Sequence, residues 1–314
     1  MIRTAIAALC LCIAGAALAQ GKTTRIIVGF PPGGAADITI RIVAQGLATE
    51  LGQPVVVENR PGAESVIAAD AVRSAPPDGA TLFMGTNTAM VAVPSARTPP
   101  PYDPFRDFTP VSRLGSFTMF LVVTPALNAS SVAAFLDQVR ANPGKLNYAS
   151  SNSAARLAAV QLLAPQKLDM VHVPYKGDAA ALNDLMTDRI QMMFGTGTGV
   201  PPLAREGRVR VLATLLEARS PLLPEVPTAA EAGIRGLTID PWAALFAPAK
   251  LPAELNTRLS RAVKAVLEKP DSREQFERQG FAARPSTPEE LAAFHKAQWD
   301  AWTRTVRENN IKFE

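Results

Sequence analysis

The residues equipped for chemistry in this chain sit in glycine- and hydroxyl-rich turns. Ile26-Ile27-Val28-Gly29 reads as a buried strand, and Phe30-Pro31-Pro32-Gly33-Gly34-Ala35-Ala36-Asp37 reads as a turn running into a helix. Such a junction presents unpaired backbone N–H groups at the positive end of a helix, a geometry that binds anions, carboxylates included. Pro31 and Pro32 fix two φ torsions in advance, while Gly33 and Gly34 let a ligand approach the main chain without meeting a Cβ. The same spacing also serves an ordinary tight strand-to-helix turn. Asp37 is expected to cap the helix and only secondarily to touch a ligand.

Other strand ends repeat this logic. Ser150-Ser151-Asn152-Ser153 lies between a strand over 146–149 and a helix carrying Leu157, Val160 and Leu163. Arg156 falls in the first turn of that helix, where a cation opposes the helix dipole by about 0.3–1 kcal/mol. Either a ligand carboxylate pairs with this guanidinium or solvent takes it. Thr86-Asn87-Thr88 follows a strand over 82–85. Gly195-Thr196-Gly197-Thr198-Gly199 follows another; it is a loop offering hydroxyls and N–H groups to a ligand, or a plain linker. No lysine stands where a phosphate loop needs one.

A catalytic set is missing from the sequence. His172 lies in the strand pattern Val171-His172-Val173 and reads as structural; His295 lies on a helix with no second histidine at metal-binding spacing and reads as a surface residue. There is no Gly-x-Ser-x-Gly elbow, His-Glu-x-x-His, phosphate loop or dinucleotide fingerprint. A hydrolase built on Ser151 or Ser153 would need a base within hydrogen-bond reach, and the strand–helix reading places none. A binding protein without metal or cofactor is the expectation.

Short β-branched runs alternate with helical patterns. Strands are predicted over 26–30, 55–58, 82–85, 120–124, 146–149, 171–173, 192–195, 211–215 and 243–247. Ile40, Val43, Leu47 and Leu51 recur at helical spacing, as do Val132, Leu136 and Val139 after Ser130-Ser131. Thr287-Pro288-Glu289-Glu290 is a capping box opening a long final helix, and Thr228-Ala229-Ala230-Glu231 is a shorter one. The proline-rich stretch 94–104 reads as a surface loop. This alternation means an α/β fold with mainly parallel sheets, and the strands are too many for one small sheet. Two α/β lobes with a ligand cleft between them fit better: 20–121 with 241–314 as one, 122–240 as the other.

The first residues read as an export signal: Arg3, an apolar run over 5–16, and Ala17-Leu18-Ala19 as the cleavage site, so that the mature chain begins at Gln20. Both cysteines, Cys10 and Cys12, fall inside it, which removes disulfides, thiolate nucleophiles and Cys-ligated zinc from the mature protein. Export without disulfides points to a bacterial periplasm. Among 314 residues, 32 basic against 28 acidic side chains give a net charge of +4. They are scattered without an aromatic-interleaved stripe, which argues against nucleic acid. The mild positive bias helps to capture small anions.

At a higher level, whole blocks of sequence resemble one family. The turn 30–37, then Val55-Val56-Val57-Glu58-Asn59-Arg60-Pro61-Gly62 and Pro77-Asp78-Gly79, closely resemble the Bug (TctC-type) periplasmic solute receptors. So do Tyr102-Asp103-Pro104, Lys145-Leu146-Asn147-Tyr148, Val171-His172-Val173-Pro174-Tyr175-Lys176-Gly177 and Val226-Pro227-Thr228-Ala229-Ala230-Glu231-Ala232-Gly233. The blocks keep the family's order and cover nearly the whole mature chain. The resemblance implies a two-lobed type II periplasmic-binding (Venus flytrap) fold. It implies a small carboxylate ligand held in the inter-lobe cleft by the backbone of Gly33, Gly34, Ala35, Ala36 and Asp37, with Phe30 packed on it. The turn with Ser151, Ser153 and Arg156 and the hydroxyls of Thr86, Thr88, Thr196 and Thr198 complete the expected site. It also implies a monomer working either with the membrane subunits of a tripartite tricarboxylate transporter or with a membrane sensor kinase. Two turns depart from the family. The turn after the Asn-Tyr strand is shortened and carries Arg156 near a usual histidine, and Gly195-Thr196-Gly197-Thr198 replaces a common Asp-Asn-Leu-Pro.

Overall fold

A computed structural model describes residues 23–175, 177–237 and 239–308. The export signal, its cleavage site after Ala19 and both cysteines lie outside the described residues, as does Lys176. Two sheets organise the chain. The first has six strands: β1 (Thr24–Val28), β2 (Val55–Asn59), β3 (Thr81–Thr86), β4 (Phe108–Phe117), β10 (Trp242–Pro248) and β11 (Phe281–Ala283), in the order β11-β4-β10-β3-β1-β2. The second has five: β5 (Met119–Val123), β6 (Asn147–Ser150), β7 (Val171–Pro174), β8 (Met192–Thr196) and β9 (Arg210–Thr214), in the order β7-β6-β8-β5-β9. The protein is thus α/β with two lobes.

The chain passes from the first sheet to the second at Thr118, between β4 and β5, and returns ahead of β10 after Ile239 and Asp240. Phe120 and Leu121 pair with Gly195 and Phe194 of β8, so they belong to the second sheet and not to the first lobe's expected range.

Helices cover both faces. In the first lobe these are α1 (Ala35–Leu51), α2 (Val66–Arg73) and α3 (Val93–Ala96). In the second they are α4 (Val132–Ala141), α5 (Ser153–Leu163), α6 (Asp178–Met186) and α7 (Val200–Arg205). The chain ends on the first lobe with α8 (Ala253–Glu268), α9 (Pro270–Arg278) and α10 (Pro288–Glu308). The apolar stripe Ile40, Val43, Leu47 and Leu51 of α1 is buried with Val263 and Val266 of α8 against Ile26, Val28, Leu82 and Met84 of the sheet. Capping follows the local sequence. Ser131 accepts from Ala134 N at 3.1 Å, and Thr287 and Glu290 exchange two bonds of 2.9 and 3.2 Å. Thr228 and Glu231 make the same exchange at 2.8 and 3.1 Å, although the chain there forms only a turn.

Four readings are corrected. The sheets are mixed rather than mainly parallel: β4, β10 and β11 run antiparallel to their neighbours in the first, and β5 runs antiparallel to β8 and β9 in the second. The ten-residue β4 and short β11 went unpredicted, because β4 carries Pro110, Arg113 and Gly115 and lacks alternation. Its pairing with β10 shifts register twice, and Gly115 at φ +148° lies where a Cβ would meet Ala282 O at 2.1 Å. The stretch 94–104 is not all surface: Pro94 is buried in α3, and Tyr102 is buried with its hydroxyl donating to Ala89 O at 2.6 Å. His295 is not a surface residue. It is 3 % exposed, donates from Nε2 to Met90 O at 2.8 Å and stacks on Phe105. Burial holds its pKa below 6.5, against an upward pull from the Met90 bond.

Candidate functional site

Strand register places the chemically equipped turns face to face. β1, β2 and β3 run parallel, and Thr86 at the end of β3 pairs with Ala243 near the start of β10. Trp242 in turn pairs with Ser116 near the end of β4. The turns after β1 and β3 therefore share the sheet end from which the chain departs for the other lobe. In the second sheet Thr196, ending β8, pairs with Met119, which opens β5, and Ser150 ends β6 beside Pro174 of β7. The turns after β6 and β8 therefore occupy the end at which the chain arrives, and a cleft with polar strand ends on both walls follows.

On the first wall, Gly34 is the residue before α1, so Asp37 is the third helical residue and not the cap expected. It acts on the turn from inside the helix. Its carboxylate accepts from Gly33 N–H at 2.9 Å, Asn59 Nδ2 at 2.8 Å and Arg41 Nε at 2.9 Å. Asn59 Nδ2 also donates to Phe30 O at 3.1 Å. Burial alone pushes the Asp37 carboxyl up; the bonds from Arg41, Gly33 and Asn59, with the Arg41 charge, outweigh it and hold the pKa below its ordinary value. Gly33, at φ +82°, supplies the left-handed turn and is exposed beside Gly34. Its own N–H is engaged by Asp37, whereas Ala35 and Ala36, in the first helical turn, have no intrahelical acceptor for theirs. Phe30 is half-buried at the rim of the core that contains α1.

Next along this wall, Thr86 and Asn87 are buried, and Thr86 Oγ1 and both side-chain heteroatoms of Asn87 have no hydrogen-bond partner among the described residues. A buried polar group left unmet costs about 1–3 kcal/mol, so each calls for a ligand or a water. Thr88 is half-buried and opens a π-helical turn, Thr88–Ala92.

On the second wall the two turns are braced together by Asp178, the first residue of α6. It accepts from Ser151 Oγ and, through its other oxygen, from Thr196 N–H at 2.7 Å. Thr196 and Thr198 join through their hydroxyls at 3.1 Å. Asn152 caps α5 by accepting from Ala155 N at 2.9 Å, and Ser153 is the first helical residue, buried. Ser150 Oγ meets His172 Nε2 at 2.7 Å, giving that histidine the structural partner its strand position calls for. Arg156 is half-buried and engages the hydroxyl of buried Tyr148; desolvation raises the Tyr148 pKa and Arg156 opposes that rise.

Across the cleft, Ser153 Oγ donates to Glu64 Oε1 at 3.5 Å, and Glu64 also pairs with Arg97 at 3.4 Å. Glu64 sits in a run of three left-handed residues, Ala63, Glu64 and Ser65, with φ of 46, 55 and 75°. Non-glycine residues in this region cost about 1–3 kcal/mol each, and such strain concentrates at ligand clamps. The structure therefore brings Ser151, Thr196 and Thr198 into one connected set through Asp178, and Phe30, Gly33 and Asp37 into another through Asn59, while Ser153 joins Glu64 across the cleft. Asn59, Glu64, Asn87 and Asp178 were missed. Only Asn87 had a local signal, its place in a polar strand end.

The description "tripartite tricarboxylate transporter family receptor" belongs to the family whose pattern matches residues 39–311. The chain belongs to that family. It is 34 % identical over 298 residues to Protein BugT of Bordetella pertussis, covering 93 % of this chain and 91 % of BugT. Two solved structures from Rhodopseudomonas palustris, each 30 % identical, share its fold. Rpa4515 with adipate has a TM-score of 0.82, covering 93 % of this chain and 98 % of that one. MatC (Rpa3494) with bound malate has a TM-score of 0.76, covering 90 % and 98 %. The family is one of periplasmic solute-binding receptors and not of enzymes, which matches a sequence without a catalytic set. Among the described residues no helix is long and apolar enough to cross a membrane.

Proposed function

We propose that the chain captures a small carboxylate-bearing solute between its lobes and hands it to the membrane subunits of a tripartite tricarboxylate-type transporter. The supporting observation is the first wall. A helix N-terminus with unpaired N–H groups at Ala35 and Ala36 shares a sheet end with buried, unpartnered Thr86 Oγ1 and Asn87. These groups offer donors to a carboxylate and donors and acceptors to a hydroxyl or second polar group. The similar proteins MatC and Rpa4515 were solved with malate and adipate, both dicarboxylates, which supports this ligand class. Arg156 and the Ser151, Ser153, Thr196 and Thr198 hydroxyls close from the second wall, and the protein acts as a monomer in the periplasm after cleavage behind Ala19. A thermal-shift screen of mono-, di- and tricarboxylates tests this. A ligand at a hundredfold excess over its Kd stabilises by about 2.7 kcal/mol, a rise of roughly 5–10 °C for a chain of this size. The shift is expected to disappear in Asn87→Ala. A screen in which no carboxylate shifts the protein refutes the proposal.

A further inference from the structure

A cavity of about 680 Å³ lies apart from the cleft, on the flank where β11, β4 and the crossing segments meet, and none of the residues expected at the cleft lines it. Both lobes build it. The first gives Arg113 of β4, Arg273 of α9, Phe281 of β11 and Phe294 of α10, and the second gives Leu215 and Ala218 from the segment after β9. Gly197 of the cleft loop packs against Gly280 and Thr118, so closely that a Cβ on it would lie 3.0 Å from Thr118, and this contact lies between cleft and cavity.

The lining is amphipathic and biased to cations. Four arginines face three carboxylates, with leucine, isoleucine and phenylalanine between them. Arg284 is paired with Glu217 across the lobes at 2.8 Å, and Arg219 with Glu231 at 2.9 Å. Arg113 is held by Asp240, by Ser116 at 2.8 Å and by the face of Phe294 at 4.0 Å. Two donors are left over. Arg113 Nε is buried with no hydrogen-bond partner, in a residue 7 % exposed, and Arg273 has no ion pair among the described residues. Leaving a buried guanidinium donor unmet is costly, and a bound anion removes the cost.

We infer that this hinge-flank cavity is a second ligand site, taking a small organic anion with an apolar body: the acidic group meets Arg113 and Arg273, and the body rests on Phe281, Phe294 and Leu215. The occupant touches both lobes beside the crossings at Thr118 and Asp240, so it favours the hinge angle at which the cavity fits it. By linkage it alters cleft affinity by the factor through which the cleft ligand alters its own.

The sulfonate dye 8-anilinonaphthalene-1-sulfonate is an acid on an apolar body and serves as the probe, with its fluorescence titrated against the intact protein. Saturable binding of one dye per chain is expected. Ala218→Trp, which fills the cavity from an exposed position, is expected to abolish it. Arg273→Glu, also exposed, is expected to weaken it at least tenfold. Gly34→Trp blocks the cleft instead, at a residue whose φ of −80° accepts a side chain, and is expected to retain saturable binding of one dye per chain. Circular dichroism confirms that each variant is folded. No saturable binding, binding unchanged in both Ala218→Trp and Arg273→Glu, or binding lost in Gly34→Trp overturns the inference. The carboxylate screen reads the cleft separately, so either site can fail without the other.

Discussion

Asp37→Asn removes the charge around which the first turn is built. In the wild type the carboxylate accepts from Gly33 N–H, Asn59 Nδ2 and Arg41. Hydrogen bonds to a charged acceptor contribute about 1.5–3 kcal/mol each, which applies to the bonds from Gly33 and Asn59. The arginine side chain is 51 % exposed, so its share is screened to about 0.5 kcal/mol. The asparagine keeps one acceptor oxygen and turns its amide group on the remaining donors, so one of the two strong bonds survives at best. The expected loss is about 2–4 kcal/mol, read as a lower urea midpoint at pH 7 with unchanged m. The pH dependence carries a sign. The folded pKa lies below the ordinary 3.8, so the contribution is complete above that value and is lost as pH falls through the folded pKa. The gap between wild type and Asp37→Asn is therefore constant from pH 7 to 5 and narrows below pH 3.8. A loss under about 1 kcal/mol, or a gap that widens in acid, refutes the account of Asp37 as the turn's anchor.

Asp178→Ala removes the acceptor of Thr196 N–H and of Ser151 Oγ, so exchange of the Thr196 amide should accelerate at least tenfold with the lobe still folded; unchanged exchange refutes the brace. His295 is held neutral by burial, with a folded pKa under 6.5. The unfolded chain therefore takes its proton first as pH falls, and stability drops below pH 6.5 by at most about 1.4 kcal/mol per pH unit. His295→Gln should flatten that slope between pH 6.5 and 5, and equal slopes in urea melts of both proteins contradict the assignment.

Much of the fold is written locally. Nine strands were legible because their residues are β-branched or apolar and bounded by glycine, proline or hydroxyl residues, as Met192-Met193-Phe194 is by Gly195. The capping boxes at Thr287 and Thr228 were legible because both of their bonds close within four residues. β4 was illegible because its place is decided by its partners. Arg113 is tolerated in a strand because Asp240 and Phe294, both far along the chain, receive it together with Ser116 of the same strand. His295 failed for the same reason: a helix pattern marks a face, and only the packing of α10 on Met90, Phe105 and Trp242 reveals which face is buried.

The site divides along the same line. Turns that offer backbone groups announce themselves, since proline, glycine and serine at a strand end have few other uses. The side chains that hold those turns do not, because strand order decides what they reach. Asn59 ends β2, and parallel pairing with β1 in register Val28 to Asn59 is what sets its amide between Phe30 and Asp37. Asp178 follows β7, yet it braces the turn after β8. The sheet order β7-β6-β8 puts β6 between them, so the start of α6 must reach across the end of β6, touching Ser151 on the way to Thr196. One carboxylate thus couples the turn after β6 to the turn after β8. A substitution in either turn is therefore expected to shift the other, because both hold the same acceptor.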